Sequence, residues 1–138
     1  LDGFKNINDT YGHTFGDQVL HDVARHMSES LRASDFLARY GGDELTMIIP
    51  EANLETARQV AEKIHERLAT FSIASPDGRN CHLGLSGGIA IYPTHARTAP
   101  DMLRAADEAL YYAKKHARGT FVNAKGFTGE LQRPKNLK

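Results

Sequence analysis

Arg39-Tyr40-Gly41-Gly42-Asp43-Glu44-Leu45 is the stretch that decides how this chain folds. It lies between two apolar runs, Phe36-Leu37-Ala38 and Leu45-Thr46-Met47-Ile48-Ile49. A Gly-Gly pair between strand-like runs predicts a β-hairpin, with Gly41 and Gly42 as the central residues of a tight turn that needs positive φ. Asp43 and Glu44 then fall at the hairpin tip. Carboxylates placed there can hold a divalent cation or take a proton. The two glycines leave room for a phosphate or a ligand backbone to come close. An ordinary exposed acidic turn fits the same local spacing.

Upstream of the hairpin, residues 4–11 predict a short helix ended by Gly12, with Asn8, Asp9, His13 and Asp17 clustered around the break. A longer helix is expected over about 16–31. Val19, Leu20, Val23, Ala24, Met27 and Leu31 recur on one of its faces at helical spacing. Downstream, Leu45, Met47 and Ile49 alternate on one side of a strand that stops at Pro50. Asn53 is a candidate N-cap for a helix over 54–69, with Leu54, Ala57, Ala61, Ile64 and Leu68 inward. Pro76-Asp77-Gly78 marks a turn between two short strands. The run 83–92 predicts a strand with small residues on one face (Gly84, Ser86, Gly88, Ala90), which lets a helix or ligand approach closely. Pro100-Asp101 opens a last helix over 100–116, with Leu103, Ala106, Leu110 and Ala113 inward. Thr120-Phe121-Val122 is a final strand, and the chain from Ala124 reads as a linker or frayed end. This order predicts an α+β fold, an α/β sandwich with helices flanking a central, mostly antiparallel sheet.

Composition narrows the function. The chain has 138 residues, enough for one domain. It is 41% hydrophobic and 25% charged, an ordinary globular balance. Lys and Arg total 17, as do Asp and Glu, and a net charge near zero argues against a nucleic-acid-binding surface. The single Cys81 excludes a disulfide framework and suits a reducing cytoplasm. No apolar run is long enough to span a bilayer and no signal peptide is evident. The chain opens on Leu1-Asp2-Gly3-Phe4 without Met, as a piece of a longer protein would.

Three ordered motifs carry a resemblance. Phe4-Lys5-x-Ile7-Asn8-Asp9-x-Tyr11-Gly12-His13-x-x-Gly16-Asp17-x-Val19-Leu20 is similar to the nucleotide-binding segment of the GGDEF family, the diguanylate cyclase domain. Arg39 to Leu45 resembles the signature loop of that family. Ala105-Ala106-Asp107-Glu108-Ala109-Leu110-Tyr111-Tyr112-Ala113-Lys114, followed by Arg118, resembles its last helix. The resemblance covers residues 1–123 as one domain and leaves 124–138 as a tail. It implies a fold like the palm of nucleotidyl cyclases and polymerases. It also implies condensation of two GTP into cyclic di-GMP with release of two pyrophosphates, in bacterial signalling. Two domains would face each other as a homodimer, each binding one GTP, with Mg2+ or Mn2+ on the phosphates. The other reading is an inactive domain that binds GTP or cyclic di-GMP and regulates a sensory or phosphodiesterase neighbour. A cytoplasmic site follows, compatible with a membrane-anchored parent.

The resemblance also implies residue roles. Asp43 and Glu44 match metal ligands, one of them the base for the 3′-hydroxyl, and Leu1 matches a position offering its backbone carbonyl to the metal. Lys5 matches a stabiliser of charge during transfer, while Lys114 and Arg118 match cations on the β- and γ-phosphates. Asn8 and Asp17 match the pair that reads guanine. Helix capping is the alternative for that pair, as turn stabilisation is for His13. Phe4, His13, Gly41 and Gly42 complete the expected substrate contacts. Arg32 and Asp35 match a product-inhibition site, an arginine and a carboxylate three apart that can fork onto cyclic di-GMP. Lys63 stands where some members have a second inhibitory arginine, and a lysine lacks that fork.

Three departures accompany the match. Leu45 replaces Phe, an apolar exchange expected to be tolerated. Gly119 replaces a common asparagine. The family's first strand, which ends in a metal-binding Asp just before the position of Leu1, is expected to lie outside this sequence, and Asp2 does not take its place. A piece without that strand is expected to be catalytically crippled and poorly folded, while its parent could be active.

Overall fold

Glycine breaks and apolar spacing set the first two helices. In the computed structural model, which describes residues 1–125, α1 runs Phe4–Tyr11 and α2 runs His13–Ser28, with Gly12 between them. The remaining elements are β1 (Phe36–Gly41), β2 (Glu44–Ile48), α3 (Leu54–Ala69), β3 (Ile73–Ala74), β4 (Asn80–Cys81), β5 (Gly87–Ile89), α4 (Ala99–His116) and β6 (Phe121–Asn123). The mixed helix and strand fold expected from the sequence is present. Its strands form three two-stranded ladders: β1–β2 and β3–β4 antiparallel, β5–β6 parallel. The tail beyond Lys125, where the linker is expected, lies outside the described residues.

The chain divides into two units, with α3 contributing to both. The first unit comprises Leu1–Glu51 and Gln59–Leu85. Its core is the apolar stripe of α2 (Val19, Leu20, Val23, Met27) with Phe4 and Ile7 of α1, Ala61, Ile64 and Leu68 of α3, and Leu83 and Leu85. Val19, Val23, Met27 and Ile64 are fully enclosed, and removing each from water is worth about 1.5–3 kcal/mol. Arg67 ties the end of α3 to α2, donating to Glu29 Oε1 at 2.7 Å, and His26 stacks on Phe71 with ring centroids 4.1 Å apart. Tyr11 reaches from the end of α1 to the Asp77 carboxylate in the β3–β4 turn, 3.2 Å away.

The second unit holds Ala52–Arg58 and the chain from Ser86. Asn53 caps α3 as expected, its Oδ1 accepting from Thr56 N at 2.8 Å. Thr98 caps α4 by accepting from Asp101 N at 3.2 Å. The small-residue face of β5 serves close packing, because a Cβ on Gly88 would strike the backbone of Ala106 and Leu110 in α4. Arg58 fastens β6, donating to Phe121 O at 3.1 Å and to Asn123 Oδ1 at 2.7 Å.

Five expectations are corrected. Helix α2 begins at His13 rather than 16, since Gly16 N already donates to Gly12 O at 3.1 Å. It ends at Ser28, where the bonds tighten to Ser30 N→Met27 O and Leu31 N→Ser28 O. The hairpin turn is centred on Gly42-Asp43, not Gly41-Gly42. Gly41 pairs with Glu44, and the register slips between Arg39 and Gly41, leaving Tyr40 as a bulge. Gly42 alone in this turn carries the left-handed φ, 50°. The strand expected over 83–92 shrinks to Gly87–Ile89 plus a bridge from Gly84 to Asp2. Beyond it the Ile91 backbone is committed to a turn: Ile91 N donates to His95 Nδ1 at 2.8 Å and Ile91 O accepts from His95 N at 2.8 Å. Leu103 is exposed, because the buried face of α4 runs through Ala109 and Ala113.

Candidate functional site

Most of the predicted site residues belong to the first unit, on two local structures. The hairpin tip holds Asp43 and Glu44, both half-buried. Two anchors fix its backbone. Arg39 donates through Nε (3.1 Å) and Nη2 (2.8 Å) to Gly42 O. The Leu1 backbone nitrogen donates to Asp43 O at 2.8 Å. Both carbonyls of the two-residue turn are thereby held by bonds additional to those of the β1–β2 ladder. Leu1 is itself buried, and the next residue, Asp2, exchanges backbone bonds of 2.9 and 3.0 Å with Gly84. Asp2 thus joins Leu1 to Gly84 through its backbone. Among the described residues neither the Asp43 nor the Glu44 carboxylate has a hydrogen bond or ion pair.

The second local structure is the α1–α2 corner. Lys5 and His13 are exposed, and Phe4 is buried in the core. No side chain caps either helix, so Asn8 and Asp17 are not the helix caps that their spacing alone allowed. The His13 ring has no hydrogen-bond partner among the described residues, which leaves its turn-stabilising alternative without support. Asn8 Oδ1 is buried and unpartnered, packed against Gly16. Asp17 is exposed on α2 and lines a groove of about 580 Å3 together with Leu20, His21, Ala24, Arg39 and Leu45. Leu45, which stands in place of Phe, is half-buried and pairs with Arg39 across the hairpin.

A third cluster in the same unit is built differently. Arg32 and Asp35 close on each other, with Nη2 to Oδ1 at 3.0 Å and Arg32 N to Oδ2 at 2.8 Å. Arg32 Nη2 also donates to Pro50 O at 3.0 Å. The Asp35 side chain is only 2% exposed. The hydrogen bond from the Arg32 side chain, followed by that from its backbone, holds the Asp35 carboxyl below the usual carboxylate range. The same hydrogen bond raises the Arg32 guanidinium further. Lys63 is exposed on α3.

Lys114 and Arg118 belong to the second unit. Lys114 lies in the last turn of α4, half-buried, and Arg118 is exposed just past the helix end. The neighbouring Gly119 has φ 86° and donates its N–H to Ser86 Oγ at 2.9 Å. Asparagine, the common residue at the matching position, is among the few others that tolerate this left-handed conformation. The exchange therefore keeps one backbone requirement.

Among the described residues no three His, Cys, Asp or Glu side chains come together as a metal cluster. The donors on offer are two carboxylates and carbonyl oxygen. That all-oxygen, two-carboxylate set suits Mg2+ or Mn2+ shared with substrate phosphates rather than a cage supplied by the protein alone. Arg39 and Gly16 carry roles here that motif matching did not assign. The signal for Arg39 was its offset of three residues from Gly42. Gly16 gave a weaker one, a helical glycine eight residues after an asparagine.

Residues 1–120 match the family described as Diguanylate cyclase, GGDEF domain. The chain is 38% identical over 121 residues to the diguanylate cyclase DosC of Escherichia coli, covering 86% of this chain and 25% of that protein. It is 41% identical to the solved GGDEF domain of TpbB (YfiN) from Pseudomonas aeruginosa, with TM-score 0.83 over 90% of this chain and 72% of that one. The solved GGDEF domain of DgcB from Caulobacter crescentus, in complex with c-di-GMP, is 30% identical with TM-score 0.79, covering 88% of this chain and 72% of that one. The chain spans about a quarter of the length of the curated relatives it matches.

Proposed function

This chain belongs to the GGDEF family of diguanylate cyclase domains, and from that premise we propose that it is the catalytic domain of a longer protein that condenses two GTP into cyclic di-GMP. The observation that carries the reading is the hairpin tip. Two adjacent carboxylates without partners among the described residues stand on a turn whose carbonyls are both held. A surface turn with no chemistry has no need of such bracing.

In the proposed reaction each GTP 3′-hydroxyl attacks the α-phosphate of the other. A bond forms between the 3′-oxygen and the α-phosphorus, and the bond from that phosphorus to the β-phosphate bridging oxygen breaks. Pyrophosphate departs, and the hydroxyl proton passes to a carboxylate of the Asp43–Glu44 pair. Asp43, Glu44 and the Leu1 carbonyl would hold Mg2+ or Mn2+, which when bound neutralises phosphate charge. Lys5 opposes charge that develops during transfer, and Lys114 and Arg118 bind the β- and γ-phosphates. Asn8 and Asp17 read guanine: the amide meets N3 and the exocyclic edge, and the carboxylate accepts from N1 and N2. Adenine lacks that exocyclic donor. Phe4, His13, Gly41 and Gly42 shape the same nucleotide site. Residues 1–123 form the domain, two copies of which act together, and a sensory or phosphodiesterase domain is its partner in the longer protein. Arg32 and Asp35, with Lys63 beside them in role, bind product as an inhibitor.

The test is turnover of GTP with Mg2+ by the full-length parent as a dimer. Cyclic di-GMP that disappears in Glu44→Gln is the expected result. No product from the dimeric parent, with GTP or cyclic di-GMP still bound, would replace the reading with a regulatory binding domain.

A further inference from the structure

Asn8 and Gly16 interlock. An ideal Cβ built on Gly16 would overlap Asn8 Oδ1 and lie 2.8 Å from its Cγ, while Nδ2 is farther, at 3.5 Å. The oxygen end of the amide therefore occupies the space that any other residue at position 16 would fill. Oδ1 is buried there without a hydrogen bond. Nδ2 has no partner among the described residues either, yet it is not a buried atom, so its donors remain accessible. Asp17, the residue after Gly16, is exposed, and no partner among the described residues meets its carboxylate. The start of α2 thus carries the Asn8 amide seated against Gly16 and, at the next position, an exposed carboxylate.

We propose that Gly16 is a positioning residue: its missing side chain is the slot that orients the Asn8 amide, so that Nδ2 is delivered to a ring acceptor while Asp17 accepts from neighbouring ring N–H groups. That donor-plus-acceptor edge is complementary to a guanine base. The inference deepens the GTP reading and rests on it for the identity of the ligand. The slot itself stands on geometry alone.

A helical glycine with no such duty is improved by alanine through helix propensity. Here alanine would push the amide out of its seat, and the loss of one ligand hydrogen bond corresponds to about tenfold in affinity. The experiment is a double-mutant cycle on the full-length protein, read by calorimetric titration with GTP. Gly16→Ala is expected to weaken GTP about tenfold, as is Asn8→Ala. In the Asn8→Ala background Gly16→Ala should cost nothing further, because the slot is then empty. Equal losses in both backgrounds, or no loss in either, would overturn the proposal. The Asn8 side-chain amide resonances provide a second reading without ligand. They should move in Gly16→Ala whether or not GTP binds. If they move and the wild type binds no GTP, the slot stands and the substrate assignment falls. If they do not move, the slot falls.

Discussion

Arg32–Asp35 and Asp43–Glu44 lie eight residues apart in the same unit, and their polar groups are treated in opposite ways. Asp35 is enclosed and takes bonds from both the side chain and the backbone of Arg32, which also caps Pro50 O. Asp43 and Glu44 stand on a turn whose Gly42 and Asp43 carbonyls are held, and their carboxylates have no partners among the described residues. The first cluster closes on itself, so its polar groups are already satisfied before any product reaches it. The second leaves acceptors unpaired at a fixed place, the arrangement a site needs before its ligand arrives. The Asn8–Asp17 corner follows the second pattern, with a buried oxygen lacking a partner and an exposed carboxylate.

If this contrast is functional, substitutions should separate along it. The largest effect is expected at the unpaired pair. Glu44→Gln or Asp43→Asn should lower turnover at least about hundredfold, as removal of a group acting on developing charge does. Melting temperature should hardly move, since no internal bond is lost. A comparable loss of stability would erase the distinction.

Next in size is Arg39→Ala. It frees the Gly42 carbonyl while leaving both carboxylates in place, and a misplaced site costs rate before it costs fold. About tenfold lower turnover with the GTP KM little changed is the expected result of steady-state kinetics. A KM effect alone would make Arg39 a substrate contact rather than a brace.

Smaller still is the effect of Asp35→Asn on turnover, which should stay within about twofold at low product. Its signature is in acid stability. The Asp35 carboxyl is held low in the fold, so its stabilising contribution is fully present above the ordinary Asp range near about 4 and is lost as pH falls through its folded value. Thermal melts from pH 7 downward should therefore show wild type and Asp35→Asn converging at the acid end. A gap that widens toward acid pH would contradict the pairing. The smallest change is Lys63→Arg, which restores a planar fork and should tighten inhibition by added cyclic di-GMP a few-fold.

Much of this was legible in the sequence because it depends on local chemistry. Helix α1, the hairpin strands, the Asn53 cap and the Pro76-Gly78 turn each rest on signals within a few residues, and each appears. The misplacements have a different origin. The hairpin turn slipped by one residue because a bulge at Tyr40 depends on register with the partner strand. The strand over 83–92 was cut short by a histidine four residues beyond Ile91 that captures its backbone from both sides. The duty of Gly16 does not show in its motif position, because Asn8 fills the space beside it only once the chain is folded. The candidate carboxylates were visible as residue types. That their partners are missing could not be read from the sequence, because satisfaction is a property of three-dimensional neighbours.

The most direct test of that contrast is GTP affinity by calorimetry on the full-length protein, comparing Asp17→Asn with Arg32→Ala. Asp17→Asn should weaken GTP about tenfold or more while Arg32→Ala binds GTP as the wild type does. Equal affinities in the two variants would mean that unpaired polar groups in this unit do not mark the nucleotide site, and the central claim would fail.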